Sequence, residues 1–374
     1  MSKIDDLIKE LCPEGVRFVC LDEVASLRRG SAITKKNIIP GDVPVIAGGQ
    51  KPAYFHGESN RSANIVVVAG SGAYAGFVSF WSVPVFVSDA FSIEPLDGEV
   101  ISKYIFYILK NRQTELHNLK RGSGVPHVYS RDVAKWKIPV PPLEVQKEIV
   151  RVLDSFTELE AELEAELEAR KKQYEYYRNT LLTFNERERV EYVQIGDICN
   201  ISRGRVMSKS YLIDNAGDYP VYSSQTANNG VFGYINTYDY DKESITWTTD
   251  GANAGSVFYH NNEEFSITNV CGLLMPKREQ VKVKYLYYIL QITLKKYVNS
   301  GMGNPKLMSN TMAKIKIPVP SLEKQKQIVS ILDKFEKLTN DISVGLPAEI
   351  EARRKQYEYY RNKLLTFKEL EHSK

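Results

Sequence analysis

KWKIPVPPLEVQKEIVRVLD, residues 135–154, returns as KIKIPVPSLEKQKQIVSILD at 314–333, with 14 of 20 positions identical. A second pair lies beyond it: LEARKKQYEYYRNTLLTF (167–184) and IEARRKQYEYYRNKLLTF (350–367) match at 15 of 18. The offset grows from 179 to 183, so the second copy carries four extra residues between its blocks, around Val344-Gly345-Leu346-Pro347. Repetition on this scale means one structural unit used twice.

Upstream of these blocks the two copies agree only loosely. VRFVCLDEVASLRRG (16–30) and VEYVQIGDICNISRG (190–204) share 4 of 15 positions. SGAYAG (71–76) pairs with DGANAG (250–255), KYIFYIL (103–109) with KYLYYIL (284–290), and GSGVP (122–126) with GMGNP (301–305). The chain therefore runs variable–constant–variable–constant. The constant blocks share a task, and the variable blocks share a fold but not a surface.

The constant blocks read as long helices. From Ile149 the positions 149, 153, 156, 160, 163, 167, 170, 174, 177, 181 and 184 alternate by four and three, and nine of the eleven are apolar. That is a coiled-coil seam, with Leu153, Phe156, Leu163, Leu167, Tyr174 and Tyr177 on it. In the second copy Ile328, Leu332, Phe335 and Ile342 begin the same seam, and Tyr357 and Tyr360 continue it. Pro139, Pro141 and Pro142 bar an earlier start, and Gly345 with Pro347 should kink or break the second helix. Each seam needs a partner, and the other copy is the obvious one. Inside the first helix, ELEAELEAELEA (158–169) is one tetrapeptide written three times. Such a unit adds about one turn, roughly 6 Å, per copy.

The variable blocks read as mixed α/β. Apolar runs at 64–69, 77–81, 84–88, 244–249 and 256–260 are strands, with glycine turns at 72–76 and 251–255. Short helices follow at KYIFYIL and KYLYYIL. The fold class is α/β (α+β): two mixed domains joined by two long antiparallel coiled-coil helices in an internal pseudo-twofold repeat. The expected segments are 1–140, 141–187, 188–319 and 320–374.

With 374 residues and a net charge of only +3, any basic surface must be local. The loops supply one. The first copy carries Arg28-Arg29-Gly30, Lys35, Lys36, Gln50, Lys51, Asn60-Arg61, Lys120 and Arg121. The second carries Arg203, Arg205, Gln225, Thr226, Asn228, Asn253, Asn304 and Lys306. Lys and Arg neutralise phosphates, whereas Gln, Asn and Arg contact base edges. Tyr74 belongs with the base-edge candidates. His127 and its counterpart Lys306 follow the glycine-proline loops and suit phosphate contacts. Cysteines 12, 20, 199 and 271 show no CxxC spacing, which favours reduced thiols in the cytoplasm. No apolar run has membrane length. No phosphate loop, methyl-donor motif or metal-ligand spacing is present, so catalytic and metal residues are expected to be none.

Two variable domains, each followed by IPVPxLExQxxIVxxLD and a long helix, resemble the specificity subunit of Type I restriction–modification systems. The resemblance covers nearly the whole chain, with Ile138–Asp154 and Ile317–Asp333 as its most specific motif. It implies that each variable domain reads one half of a split site on double-stranded DNA. It further implies that the helices dock two modification (methyltransferase) subunits, which an ATP-driven restriction (translocase/nuclease) subunit can join. S-adenosylmethionine, ATP and Mg would then sit on the partners, with no cofactor in this chain. The tetrapeptides would act as a ruler between half-sites. Two rivals stay open: a coiled-coil scaffold whose variable domains bind protein or glycan, and a methyltransferase with a fused recognition module.

Overall fold

The computed structural model describes residues 3–96, 98–122, 124–277, 280–299, 303–341 and 343–370. The chain forms two compact units, Met1–Glu164 with Glu349–Lys374, and Ala165–Ala348. The division falls inside one unbroken helix, Leu143–Leu181, just before the last residue of its second tetrapeptide.

Both units contain the same three sheets. In the first, a four-stranded antiparallel sheet has the order Ala25–Arg29, Ala90–Pro95, Ile65–Ala69, Val78–Trp81. In the second, the order is Cys199–Arg203, Cys271–Pro276, Ser244–Thr248, Val257–His260. A three-stranded sheet follows the same plan in each. Val43–Ile46 lies between antiparallel Tyr54–His56 and parallel Phe86–Val87; Tyr219–Tyr222 lies between antiparallel Val231–Ile235 and parallel Ser266–Ile267. The central strands Ile65–Ala69 and Ser244–Thr248 are buried at every position, so they read as continuous apolar or hydroxyl runs rather than alternating ones. The short helices are Ser102–Asn111 and Val283–Thr293.

The third sheet is a two-stranded one that the prolines disguise. Lys137–Val140 pairs with Arg17–Cys20, and Lys316–Val319 pairs with Glu191–Gln194. KIPV is thus an edge strand, a role not assigned from the sequence; proline survives there because an edge strand can spare an amide donor.

The constant blocks bind the short helices through one repeated polar network. Gln146 is fully buried. Its Oε1 accepts the Ile101 amide at 2.9 Å, and its Nε2 donates to the carbonyls of Glu99 and Pro141, both at 2.8 Å. Gln325 does the same with Lys282, Gln280 and Pro320. The Tyr104 hydroxyl donates to Pro139 and that of Tyr285 to Pro318. Tyr107 donates to Asp154 and Tyr288 to Asp333. Identical letters in the two blocks therefore perform identical docking.

The expected seam is present, but the second copy supplies it as two helices, Leu322–Asn340 and Leu346–Leu364. Gly345 donates its amide to Asp341 at the break. Ile342 lies outside the described residues. In the first unit Phe156 stacks on Tyr360 and tilts against Tyr357, while Arg354 reaches Glu160 at 2.6 Å and also Glu164. Rising numbers on one helix meet falling numbers on the other, so this pairing is antiparallel. In the second unit Tyr174 and Tyr177 pack on Phe335, beside the fully buried Leu332. Leu153 is fully buried and Leu163 nearly so, Leu167 is half-buried, and Tyr177 remains 39% exposed. The first helix also stops at Leu181, short of the expected 187. Asn185 then caps a 3₁₀ turn, Glu186–Glu188, by accepting from the Arg187 amide.

Candidate nucleic-acid interface

Three loops meet at one edge of each unit, tied by the same backbone hydrogen bonds. In the first unit Gly72 donates to Pro126, Val128 to Gly70, and Arg121 and His127 exchange both bonds. In the second, Gly251 donates to Pro305, Leu307 to Thr249, and Asn299 and Lys306 exchange both. The turn glycines explain why the motif is kept: Gly72, Gly76, Gly251 and Gly255 all have φ between +81° and +90°. The third loop leans on the same turn. A Cβ on Gly48 would lie 2.4 Å from the Ser71 carbonyl oxygen. In the second unit Ser224 Oγ takes the Thr249 and Asp250 amides at 3.2 and 3.4 Å.

On this shared frame the side chains differ. The apex of the glycine turn is Tyr74, 47% exposed, in one unit and Asn253 in the other. Asn253 Nδ2 donates to Thr226 Oγ1 at 3.0 Å, which joins two of the expected base-edge residues. Gln225 Nε2 is spent on the Val231 carbonyl, while Asn228 is exposed with φ +50°. Gln50 and Lys51 are exposed on the loop after Val43–Ile46, and Asn304 is exposed on the loop that carries Pro305 and Lys306. His127 stacks on exposed Tyr129, which also carries Arg131 over its ring. Lys120 Nζ donates to the Ala73 carbonyl, and Arg121 pairs with Asp132 at 3.4 Å. In the second unit Asp250 is flanked by Arg203 at 3.6 Å and Lys306 at 3.7 Å.

Several expected cations serve the fold instead. Arg28 pairs with Glu94. The Arg61 side chain is 9% exposed and donates to Ser92 Oγ at 2.7 Å. Arg205 is clamped between Asp239 and the Tyr211 hydroxyl, which together raise its pKa. Lys36 is exposed on the 3₁₀ turn Lys35–Asn37, ahead of the three-stranded sheet, and the Lys35 side chain is outside the described set. Sequence reasoning missed Asp89, which Ser71 contacts, together with Tyr129 and Asp250. Arg29 it grouped with Arg28, although the Arg-Gly pair repeats at 203–204 and marked it out.

One loop frame presented twice with different chemistry defines a two-site recognition protein. Among the described residues no group of three or more His, Cys, Asp or Glu is placed to hold a metal, and no helix is long and apolar enough to cross a membrane. Residues 13–169 and 187–352 each match the family model for the Type I restriction modification DNA specificity domain. A putative type I specificity subunit of Mycoplasma pneumoniae is 43% identical over 242 residues, covering 63% of this chain and 98% of that protein. A putative type I restriction enzyme specificity subunit of Haemophilus influenzae is 30% identical over 386 residues, covering 94% and 96%. The crystal structure of the S subunit of a Type I restriction–modification system from M. genitalium superposes with a TM-score of 0.67 at 20% identity, covering 94% of this chain and 96% of that one. The chain belongs to the Type I restriction–modification DNA specificity family. Its role is DNA recognition rather than catalysis.

Proposed function

We propose that each unit reads one half of a bipartite, asymmetric site on double-stranded DNA through its three loops. The observation that carries this is the pair of identical backbone frames bearing unlike side chains: Tyr74 against Asn253, His127 against Lys306, Gln50 against the Gln225–Thr226 region. Lys51, Arg121, Arg203 and Lys306 then contact phosphates, while Gln50, Tyr74, Thr226, Asn228 and Asn253 face base edges. Unlike halves make the whole site asymmetric.

The constant helices dock two copies of one methyltransferase subunit, to which a restriction subunit is added in a full system. The blocks match at 15 of 18 positions, and packing does not explain all of that identity. Tyr176 and Tyr359 hold the same place in each block, yet are 66% and 63% exposed. An exposed aromatic kept at both places suits an anchor for the same partner twice. S-adenosylmethionine, ATP and Mg belong to those partners, and the complex works in the cytoplasm.

A single-molecule methylome of cells with and without the gene tests the reading. A split motif with methyladenine in both halves should vanish on deletion. An unchanged methylome in cells that carry an active methyltransferase partner rules the reading out.

A further inference from the structure

Positions that stay the same while the rest of a variable block changes mark what both half-sites have in common. Between 16–30 and 190–204 only four positions agree. Val16 and Val19 are buried and need no other explanation. Gly30 and Gly204 are forced by packing, since a Cβ would come within 2.1 Å of Ser88 O or 1.9 Å of Ile267 O. The fourth is Arg29, matched by Arg203. Arg29 is exposed, and among the described residues no ion pair holds its guanidinium. It ends the strand Ala25–Arg29 and lines a cleft with Gly70, Asp89, His127 and Tyr129, which places it at the meeting point of the loops. Arg203 ends the matching strand, donates to Thr249 Oγ1 at 2.9 Å and lies 3.6 Å from Asp250 in the turn.

We infer that Arg29 and Arg203 make the base-independent contact shared by both half-sites, each to a backbone phosphate, and that sequence is read only by the positions that differ. This rests on the DNA reading above. A guanidinium suits the task because its planar fork meets two phosphate oxygens at once and is charged at every working pH. The acid in each site, Asp89 or Asp250, holds the local charge low. A cation at a fixed point, rather than a broad positive field, therefore sets the register of the loops on the duplex. The glycine behind each arginine locks the strand end against a neighbouring carbonyl, which keeps that point in place.

The test uses the full chain with its modification subunits and two duplexes, one carrying the methylome-defined target and one scrambled. Affinity is measured across a salt series for Arg29→Ala, Arg203→Ala and the Lys replacements. Each Ala variant should lose roughly tenfold on both duplexes, keep the ratio between them, and flatten the log–log salt slope by about one contact. The Lys variants should recover the slope. Since Arg203 also bonds Thr249, recovery of the slope by Arg203→Lys separates charge from folding. A changed preference at one base pair with an unaltered slope would overturn the inference in favour of base reading. Unaltered binding to both duplexes would remove the two arginines from the interface. If the wild-type complex itself shows no salt-dependent binding, the DNA reading fails rather than this assignment.

Discussion

Single buried groups carry much of the specification. Gln146 satisfies one amide and two carbonyls from a fully buried position. Gln146→Leu preserves approximate volume but strands all three, and buried unpaired groups cost about 1–3 kcal/mol each. A loss of about 3 kcal/mol in denaturant unfolding is expected, and Gln325→Leu should behave alike because its three partners are equivalent. A loss under about 1 kcal/mol in either would mean water replaces the side chain. Glu263 offers a different test. Its hydrogen bond with His260 comes first among the effects holding its carboxyl below the usual glutamate range, against desolvation, and the Tyr222 hydroxyl adds to it. A depressed carboxylate stabilises the fold fully above its unfolded value of about 4.3 and loses that contribution as pH falls through the lower folded value. The group is 39% exposed, so solvent reduces the effect to about 1 kcal/mol. Glu263→Gln should therefore be less stable than wild type at pH 6, with the gap closing below about pH 4. A gap that persists unchanged at pH 3 would show that shape, not charge, matters there.

At the scale of elements, the helices were legible because a four-three seam and a proline stop leave few alternatives. The break at Gly345 was equally readable; a Cβ there would sit 2.5 Å from the Lys337 carbonyl oxygen and 2.7 Å from that of Leu338. Gly345→Ala should lower the melting temperature by several degrees, consistent with about 2 kcal/mol of overpacking. KIPV was not legible as a strand because proline argues against one unless it lies at an edge, and edge position is set by a partner more than 100 residues away. The three ELEA units lie between Phe156, which meets Tyr357 and Tyr360, and Tyr174, which meets Phe335. One added unit lengthens that helical span by about 6 Å, and the return path is broken at Gly345, between Leu322–Asn340 and Leu346–Leu364. The expected outcome is a methylated motif with both halves unchanged and a gap one or two base pairs longer. An unaltered gap would sink the ruler.

Over the whole molecule, the duplication was plain in the letters, whereas the recognition surface was legible only in part. Glycine turns announce themselves, because positive φ has few other tenants. Which arginines face outward does not, because a pairing such as Arg61 with Ser92, or Arg205 with Asp239, joins residues some thirty positions apart. The first unit also contains a segment from the far end of the chain. Helix Leu346–Leu364 contributes Tyr357 and Tyr360 beside Phe156, and beyond it the Lys368 carbonyl accepts the Val16 amide while Leu370 donates to Val16. That borrowed helix has a near-duplicate at 167–184, already encoded in the first copy. Residues 1–187 alone lack the helix they need but own its substitute, so two such fragments can trade helices. Light scattering should give twice the fragment mass. Cutting the gene in half would then cost the protein its asymmetry rather than its fold, and a reader of two unlike words would become a reader of palindromes.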